Sequence, residues 1–345
     1  MTSTLTQQPI LCGHVLWLLA LGQSQNPLAD HLLLVLNRPV AQLNVPATDV
    51  LEEGNGVRSM AGGRAHQVYI LDPFRGRIQV FDSTGHFVRG IGRLGHSPGE
   101  FWMPYAIATD DKQSLFVLDV AAHRVSRFDS LETGATLGAS VRFGIDASAI
   151  CTAAGRVYIL GGSESTAITV VNRDGALLGG FGLPFGPGIE TARPILGFGH
   201  LVCDASSDLV IAVSDVLGEV RGYNLAGRLL WVRVLDGMTR LIMEPQGAHA
   251  VRFRSPTGGY DRISALVTLS SGMVALQIEH RVADTSRKLP YPRTIVLSAS
   301  NGLVLGDQQS LPPLVGSNLS LLYSRDPGQP AIYATAYHYH LERER

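Results

Sequence analysis

Apolar residues in this chain come in short runs, each closed by a polar or glycine-containing turn, and the runs themselves recur. Val68-Tyr-Ile-Leu-Asp72 is followed by Arg77-Ile-Gln-Val-Phe-Asp82 and then by Gly85-His-Phe-Val-Arg-Gly-Ile-Gly92. The same order returns as Leu115-Phe-Val-Leu-Asp119, Arg124-Val-Ser-Arg-Phe-Asp129, Gly134 and Phe143-Gly144, displaced by 47 residues at the first two elements. A weaker copy runs Val157-Tyr-Ile-Leu160, Ile168-Thr-Val-Val171, Asp174-Gly175 and Gly180-Phe-Gly182. A period of roughly 40–50 residues is that of a propeller or solenoid, in which each repeat is one supersecondary unit.

Each unit decodes into strands joined by hairpin turns, with an Asp-x-x-Gly turn before the last. A further strand precedes each unit: Ala106-Ile-Ala108, Ala149-Ile-Cys151 and Leu201-Val-Cys203. Inner strands converge on a propeller axis, where small side chains fit. Cys151 and Cys203 are accordingly expected to be small core residues. A disulfide between neighbouring inner strands would need unusually close approach. Periodicity supplies a fourth unit from Leu209 to Val234, a fifth from Ile263 to Leu305 and a sixth from Asn318 to His340, which lacks a strand. Asp30 to Val40 is an unassigned strand. Because an exposed sheet edge pairs with other chains, this strand is expected to complete the last blade, with Pro39 at its end. The expected architecture is all-β, a six-bladed β-propeller closed by its N-terminal strand. The domain spans 30–341, with blades near 57–92, 104–144, 146–183, 197–235, 260–308 and 311–341 plus 30–40.

The string Gly92-Arg-Leu-Gly-His-Ser-Pro-Gly-Glu-Phe101, then Pro104, Ala106-Ile-Ala108 and Asp110, resembles the inter-blade junction of NHL repeats. The pairing of Leu-Asp with a downstream Arg-Ile-Gln-Val-Phe-Asp resembles them too. The resemblance is specific over about residues 57–145 and implies a bacterial six-bladed propeller, many of which are exported.

Composition narrows the picture. Hydrophobic residues make up 45% and charged residues 17%, with 38 glycines and 18 prolines. That mixture excludes a disordered chain and long helices. A net charge of −1 gives no global attraction to nucleic acid or an anionic membrane. Among basic residues only Lys112 and Lys288 are lysine, a usage that a GC-rich genome would also produce. Ile10 to Leu21 is an apolar run of signal-peptide length, followed by Ala20-Leu21-Gly22 as a cleavage site. Residues 1–22 therefore read as a possible signal peptide, although residues 1–9 carry no Lys or Arg, and the alternative is a strand or helix under the barrel. The location implied is secreted or periplasmic, with the cytoplasm as the alternative.

Candidate chemistry is sparse. Asp72 and Asp119 end strands and are expected to fix turns. Six-bladed lactonases place calcium ligands at the axis, whereas the inner strands here are apolar, so no polar ring is expected in the channel. NHL-like amidating lyases use histidines around zinc. None of the eleven histidines shares a repeat position with another, and His338 and His340 read as half-exposed on a terminal strand. No Gly-x-Ser-x-Gly elbow occurs. Two long connections, 183–199 and 236–260, read as enlarged loops on one face, where propellers carry function. The binding residues expected on that face are Phe74, Arg75, Arg93, His96, Trp102 and His123.

The sequence thus points to a non-catalytic, monomeric binding propeller that takes a protein, peptide or glycan on its loop face. No cofactor, metal, nucleic acid or integral membrane segment is expected. A metal-dependent hydrolase or lyase is the alternative, and an RNA-binding NHL-type module the second.

Overall fold

The structure is a computed structural model. It describes residues 31–344 apart from 45–58, 64–65, 130, 132–133, 144–145, 162, 187–189, 248–249, 271, 283–290, 319–320 and 326–331. The apolar run at 10–21 and its cleavage site lie outside the described residues.

The chain is a six-bladed β-propeller of four-stranded antiparallel sheets. From the axis outward, blade 1 is Met60–Gly62, Val68–Asp72, Arg77–Phe81 and Phe87–Ile91. Blade 2 is Pro104–Thr109, Leu115–Asp119, Arg124–Asp129 and Thr136–Arg142, and blade 3 is Ala147–Ala153, Arg156–Gly161, Ile168–Asn172 and Leu177–Phe181. Blade 4 is Gly199–Asp204, Leu209–Ser214, Glu219–Asn224 and Leu229–Val234. Blade 5 is Tyr260–Leu269, Met273–Arg281, Arg293–Ser298 and Val304–Gln308. Blade 6 is Leu314–Asn318, Leu321–Ser324 and Ile332–Arg343, with Leu32–Asn44 as its outermost strand. The inner strands contact one another in sequence around the axis, and the first meets the last.

Packing explains why the second strands lack the usual alternation of apolar and polar residues. An apolar cluster lies between each pair of adjacent blades. Each sheet is therefore covered on both faces, and a strand covered on both faces reads as a continuous apolar run. Val68–Asp72, Leu115–Asp119 and Leu209–Ser214 are buried at every position. Outermost strands behave differently; Leu177 and Leu178 are exposed on the rim of blade 3.

Leu32–Asn44 runs antiparallel to Ile332–Arg343. Leu34 enters the cluster between blades 5 and 6, and Leu43 enters the one between blades 6 and 1. The strand is also bonded to blade 5: the Leu34 N–H donates to Gln308 Oε1 at 2.7 Å, and Gln308 Nε2 donates to the Leu34 carbonyl at 3.0 Å. Pro39 falls in the middle of this strand, opposite Tyr337, and not at its end. Register shifts on either side of it mark a bulge on an edge strand, the setting in which a missing N–H is tolerated.

Asp119 is wholly buried and ties blade 2 to the junction that precedes it. Its carboxylate accepts from the N–H groups of Trp102 at 2.8 Å, Met103 at 3.0 Å and Ala122 at 3.2 Å. Arg124, 3.7 Å from the same carboxylate, donates to the carbonyl of Glu100. In blade 1 Asp72 holds its own turn, accepting from the Arg75 N–H and, at 2.8 Å, from its guanidinium. These carboxylates organise backbone.

The cysteines depart from expectation. Cys151 and Cys203 form a disulfide across the inner strands of blades 3 and 4, with Cα atoms 5.6 Å apart. They are small and line the channel wall, each the fifth residue of its inner strand, Cys151 opposite Tyr158 and Cys203 opposite Val210 within their own blades. Convergence at the axis brings the two strands close enough to bridge.

Two outcomes are expected. Reduction, or Cys151→Ser with Cys203→Ser, lowers unfolding free energy by about 2–4 kcal/mol, since the bridge closes a loop of 52 residues; native-state alkylation of both thiols in unreduced protein would contradict it. Asp119→Ala strands three N–H groups and costs about 3 kcal/mol or more in a denaturant titration.

Candidate functional site

The strand order fixes which loops share a face. Each inner strand starts at the end of the axis reached by the loop before it and by the turn after the second strand. The junction 92–103, the insertions 183–199 and 236–260, and the turns after Asp72, Asp119 and Ser214 all lie at this end. The two insertions pack together: Ala192, Leu196 and Val216 bury against Leu241, Val251, Phe253 and Tyr260. Within the second insertion Ile242–Pro245 and Val251–Arg254 form a hairpin, and the Val251 N–H donates to Thr191 Oγ1 in the first.

An axial cavity of about 590 Å³ opens on this face. Its wall along the inner strands mixes apolar side chains such as Ile107 and Val202 with the hydroxyls of Thr109, Thr152, Ser264 and Thr268, and carries no charge. Its mouth does. His200, Asp215, Arg262, Glu279, Arg281 and Arg325 line it, which corrects the expectation of a channel without a polar ring.

The charged residues get there in two ways. The first is substitution at a shared repeat position. Immediately after the second strand, the N–H groups of Val120, Asp215 and Arg325 donate to the carbonyls of Met103, Phe198 and Pro313, the residue before each inner strand. The three positions are equivalent by that bond. Blade 4 carries Ser214 where blade 2 carries Asp119, each paired with the first residue of its inner strand. The acid of blade 4 has moved along by one, and on a strand one step reverses the direction of a side chain. Asp119 thus points into the junction, and Asp215 points to the axis. His200 likewise stands where blades 2 and 3 have Tyr105 and Ser148, one residue after the first inner-strand pairing.

The second way is extension. In blade 5 the first two strands, Tyr260–Leu269 and Met273–Arg281, have 10 and 9 residues. Their counterparts in blade 2 have 6 and 5. Ile263 pairs with Ile278 as Pro104 pairs with Asp119, each just before a bulge, so three residues of each strand extend past that pair, about 10 Å at roughly 3.4 Å per residue. Arg262, paired with Glu279 across the hairpin, and Arg281 beyond them are carried to the rim.

The groups interlock. Arg262 Nη2 donates to Asp215 Oδ2 at 3.2 Å, and His200 Nε2 lies 3.4 Å from Asp215 Oδ1. Arg281 pairs with Glu279 at 2.8 Å. His200 Nε2, Asp215 Oδ1 and Arg262 Nε are buried without a hydrogen-bond partner among the described residues. Arg325 has no ion pair within salt-bridge reach among the described residues. Burial holds its guanidinium below the usual arginine range, with the charge of Glu279 pulling the other way.

The residues expected from sequence fall on blades 1 and 2. Phe74 is 66% exposed in the turn after Asp72 and lines the cavity. Arg75 is held by Asp72, and Arg93 is bound to Glu100 at 2.6 Å. His96 stacks edge-on against the exposed Trp102 with ring centroids 4.3 Å apart. His123 adopts a positive φ of 47° in the turn of blade 2, with Nδ1 3.9 Å from Asp146 and its ring edge-on to Phe143. Only Phe74 of the six reaches the axis. Sequence reasoning missed the mouth residues; the one-residue displacement of the blade 4 acid and the long run Tyr260–Leu269 were the available signals. Among the described residues no helix is long and apolar enough to cross a membrane.

Comparison with known proteins bears on the fold. The model of the DUF5128 family, described as a 6-bladed beta-propeller, matches residues 64–165. No curated protein matches the chain. A solved member of the DUF4221 family from Bacteroides vulgatus ATCC 8482 superposes with a TM-score of 0.64 at 10% identity, covering 92% of this chain and 100% of that one. A protein from Bacteroides fragilis NCTC 9343, named as a candidate for export, gives a TM-score of 0.54 at 10% identity over 94% and 98% of the two chains. Virginiamycin B lyase from Staphylococcus aureus gives 0.50 at 10% identity over 91% and 100%. At such identities the likeness is one of architecture, that of the six-bladed β-propeller.

Proposed function

We propose that this chain is a binding propeller of NHL-like type, acting outside the cytoplasm and recognising its ligand at the mouth of the axial cavity. One observation carries the reading: side chains from blades 1, 2, 4, 5 and 6 converge on one open cavity, and His200, Asp215 and Arg262 each bring a buried polar atom without a hydrogen-bond partner among the described residues. Concave sites with an apolar wall and a few convergent polar groups are where small ligands bind. The Cys151–Cys203 disulfide supports an oxidising compartment, because such bonds persist outside the cytosol. An exported propeller is also what the expected signal at residues 1–22 implies.

Arginine dominates the mouth, and arginine recognises more readily than it transfers protons, since it stays charged at any physiological pH. The loop-face arginines Arg75, Arg93 and Arg281 are each bound to a carboxylate, which favours this reading over RNA binding, where a continuous positive track is needed.

One observation favours a second reading, a hydrolase or lyase. His200 and Asp215 approach within 3.4 Å, the pairing by which a carboxylate orients a general base.

A thermal-shift screen of short peptides, glycans and organic acids tests the proposal. Occupancy at 100 times the dissociation constant adds about 2.7 kcal/mol of stability. The expected hits lose their shift in Phe74→Ala and Arg262→Gln and are recovered unchanged by mass spectrometry. Hits that persist in both variants would place the binding site elsewhere. Product formation abolished in His200→Ala and Asp215→Asn would establish the second reading.

A further inference from the structure

The cavity mouth is two-sided. Blades 1 and 2 contribute Pro73, Phe74 and Tyr105 and no charged group among the described residues. On the same blades, outside the cavity, Trp102 and Met103 are 53% and 49% exposed. Phe74, at 66%, is a large aromatic side chain held toward solvent beside the axis. The edge-on pair Tyr105 and Phe198, with centroids 5.7 Å apart, extends this side toward blade 4. Facing it, blades 4 to 6 contribute His200, Asp215, Arg262, Glu279, Arg281 and Arg325.

The charges on the second side do not cancel. Three guanidinium groups meet two carboxylates, which leaves a surplus of one positive charge when His200 is neutral. The pairing shows where that surplus sits. Arg262 is bonded to Asp215 and Arg281 to Glu279. Among the described residues Arg325 has the longer-range attraction of Glu279 and no ion pair. A half-buried guanidinium whose fork has no ion-pair partner among the described residues matches a carboxylate in shape and donates to it through two parallel hydrogen bonds. Arg262 adds an Nε–H without a hydrogen-bond partner among the described residues.

We propose that the ligand of this mouth is an amphipathic monoanion, a carboxylate held by Arg325 and Arg262 on a planar apolar body that lies against Phe74 and Tyr105. The inference rests on the mouth being the binding site. Charge selects against the neighbouring classes. A neutral ligand leaves the surplus charge uncompensated. A cation meets it directly. A phosphate monoester brings about two negative charges to a site with a surplus of one, where Asp215 and Glu279 repel the excess. A hydrophilic anion such as propionate leaves Phe74 and Tyr105 facing water, so both sides are filled only by a molecule that has both parts.

The test uses the full chain and four probes: phenylpropionate, its neutral amide, phenyl phosphate and propionate, titrated by calorimetry. Phenylpropionate is expected to bind at least about tenfold more tightly than the amide, the worth of a charge-assisted hydrogen bond, and more tightly than phenyl phosphate or propionate. Arg325→Gln is expected to weaken phenylpropionate by about 10–100-fold while leaving the melting temperature of the free protein unchanged. Phe74→Ala is expected to weaken it about tenfold. Equal binding of acid and amide, or tighter binding of the phosphate, overturns the assignment of a monoanion, and if either is lost in Phe74→Ala the mouth stands as a binding site. Full affinity in Arg325→Gln overturns the assignment of the anion to that residue. If phenylpropionate fails to bind, the proposal falls; the broader ligand screen then decides separately whether the mouth binds at all.

Discussion

Face-to-face packing of sheets is the interaction on which the rest of this protein depends. Every blade buries both of its faces against neighbours, so no blade has a finished surface of its own. Val68–Asp72 and its counterparts are buried at every position, and apolar up to the last, because there is no solvent side to which a polar residue could turn. Such sheets are stable only as a closed circle, and closure falls to Leu32–Asn44, whose Leu34 and Leu43 serve two different inter-blade clusters. The same geometry draws inner strands together until Cys151 and Cys203 can bond.

A rigid wheel of this kind separates architecture from chemistry. The backbone bond that follows each second strand is kept in blades 2, 4 and 6, while the side chain at that position changes from Val120 to Asp215 to Arg325. In blades 4 and 6 that side chain faces the axial cavity, whereas Val120 turns into the apolar cluster between blades 2 and 3, so the backbone bond holds whatever the side chain does. Asp119 shows the converse. One position earlier, a carboxylate is committed to backbone N–H groups and is unavailable to a ligand. Two aspartates one step apart in the repeat therefore have opposite roles, decided by which way the pleat turns them.

This also explains what could be read from the sequence. The 47-residue offset and the doubly buried runs reflect repeated packing, and repeated packing leaves a repeated signal; the fold was legible. The apolar inner strands were legible for the same reason. Pro39 was placed at a strand end because the bulge that admits it leaves no mark in the apolar pattern. The disulfide stands in the sequence only as an alternative to two small core residues, because spacing along the chain says little about how close two strands come at an axis. The mouth was missed because its residues break the repeat. His200, Asp215 and Arg325 each occupy a position that other blades fill differently, and Arg262, Glu279 and Arg281 depend on the greater length of one hairpin. The six residues chosen from the best-preserved repeats lie where the repeat is strongest, on blades 1 and 2, and most of them are occupied with holding loops in place.

Everything described at the mouth requires the wheel to be sealed by Leu32–Asn44. Hydrogen exchange of the backbone amides of that strand reads this directly. In a sealed ring the bonded amides of Leu32–Asn44 exchange only through the opening that also exposes Leu321–Ser324 and Ile332–Arg343, at the same free energy. Exchange of the N-terminal strand several orders of magnitude faster than those two would show an open ring and contradict the account.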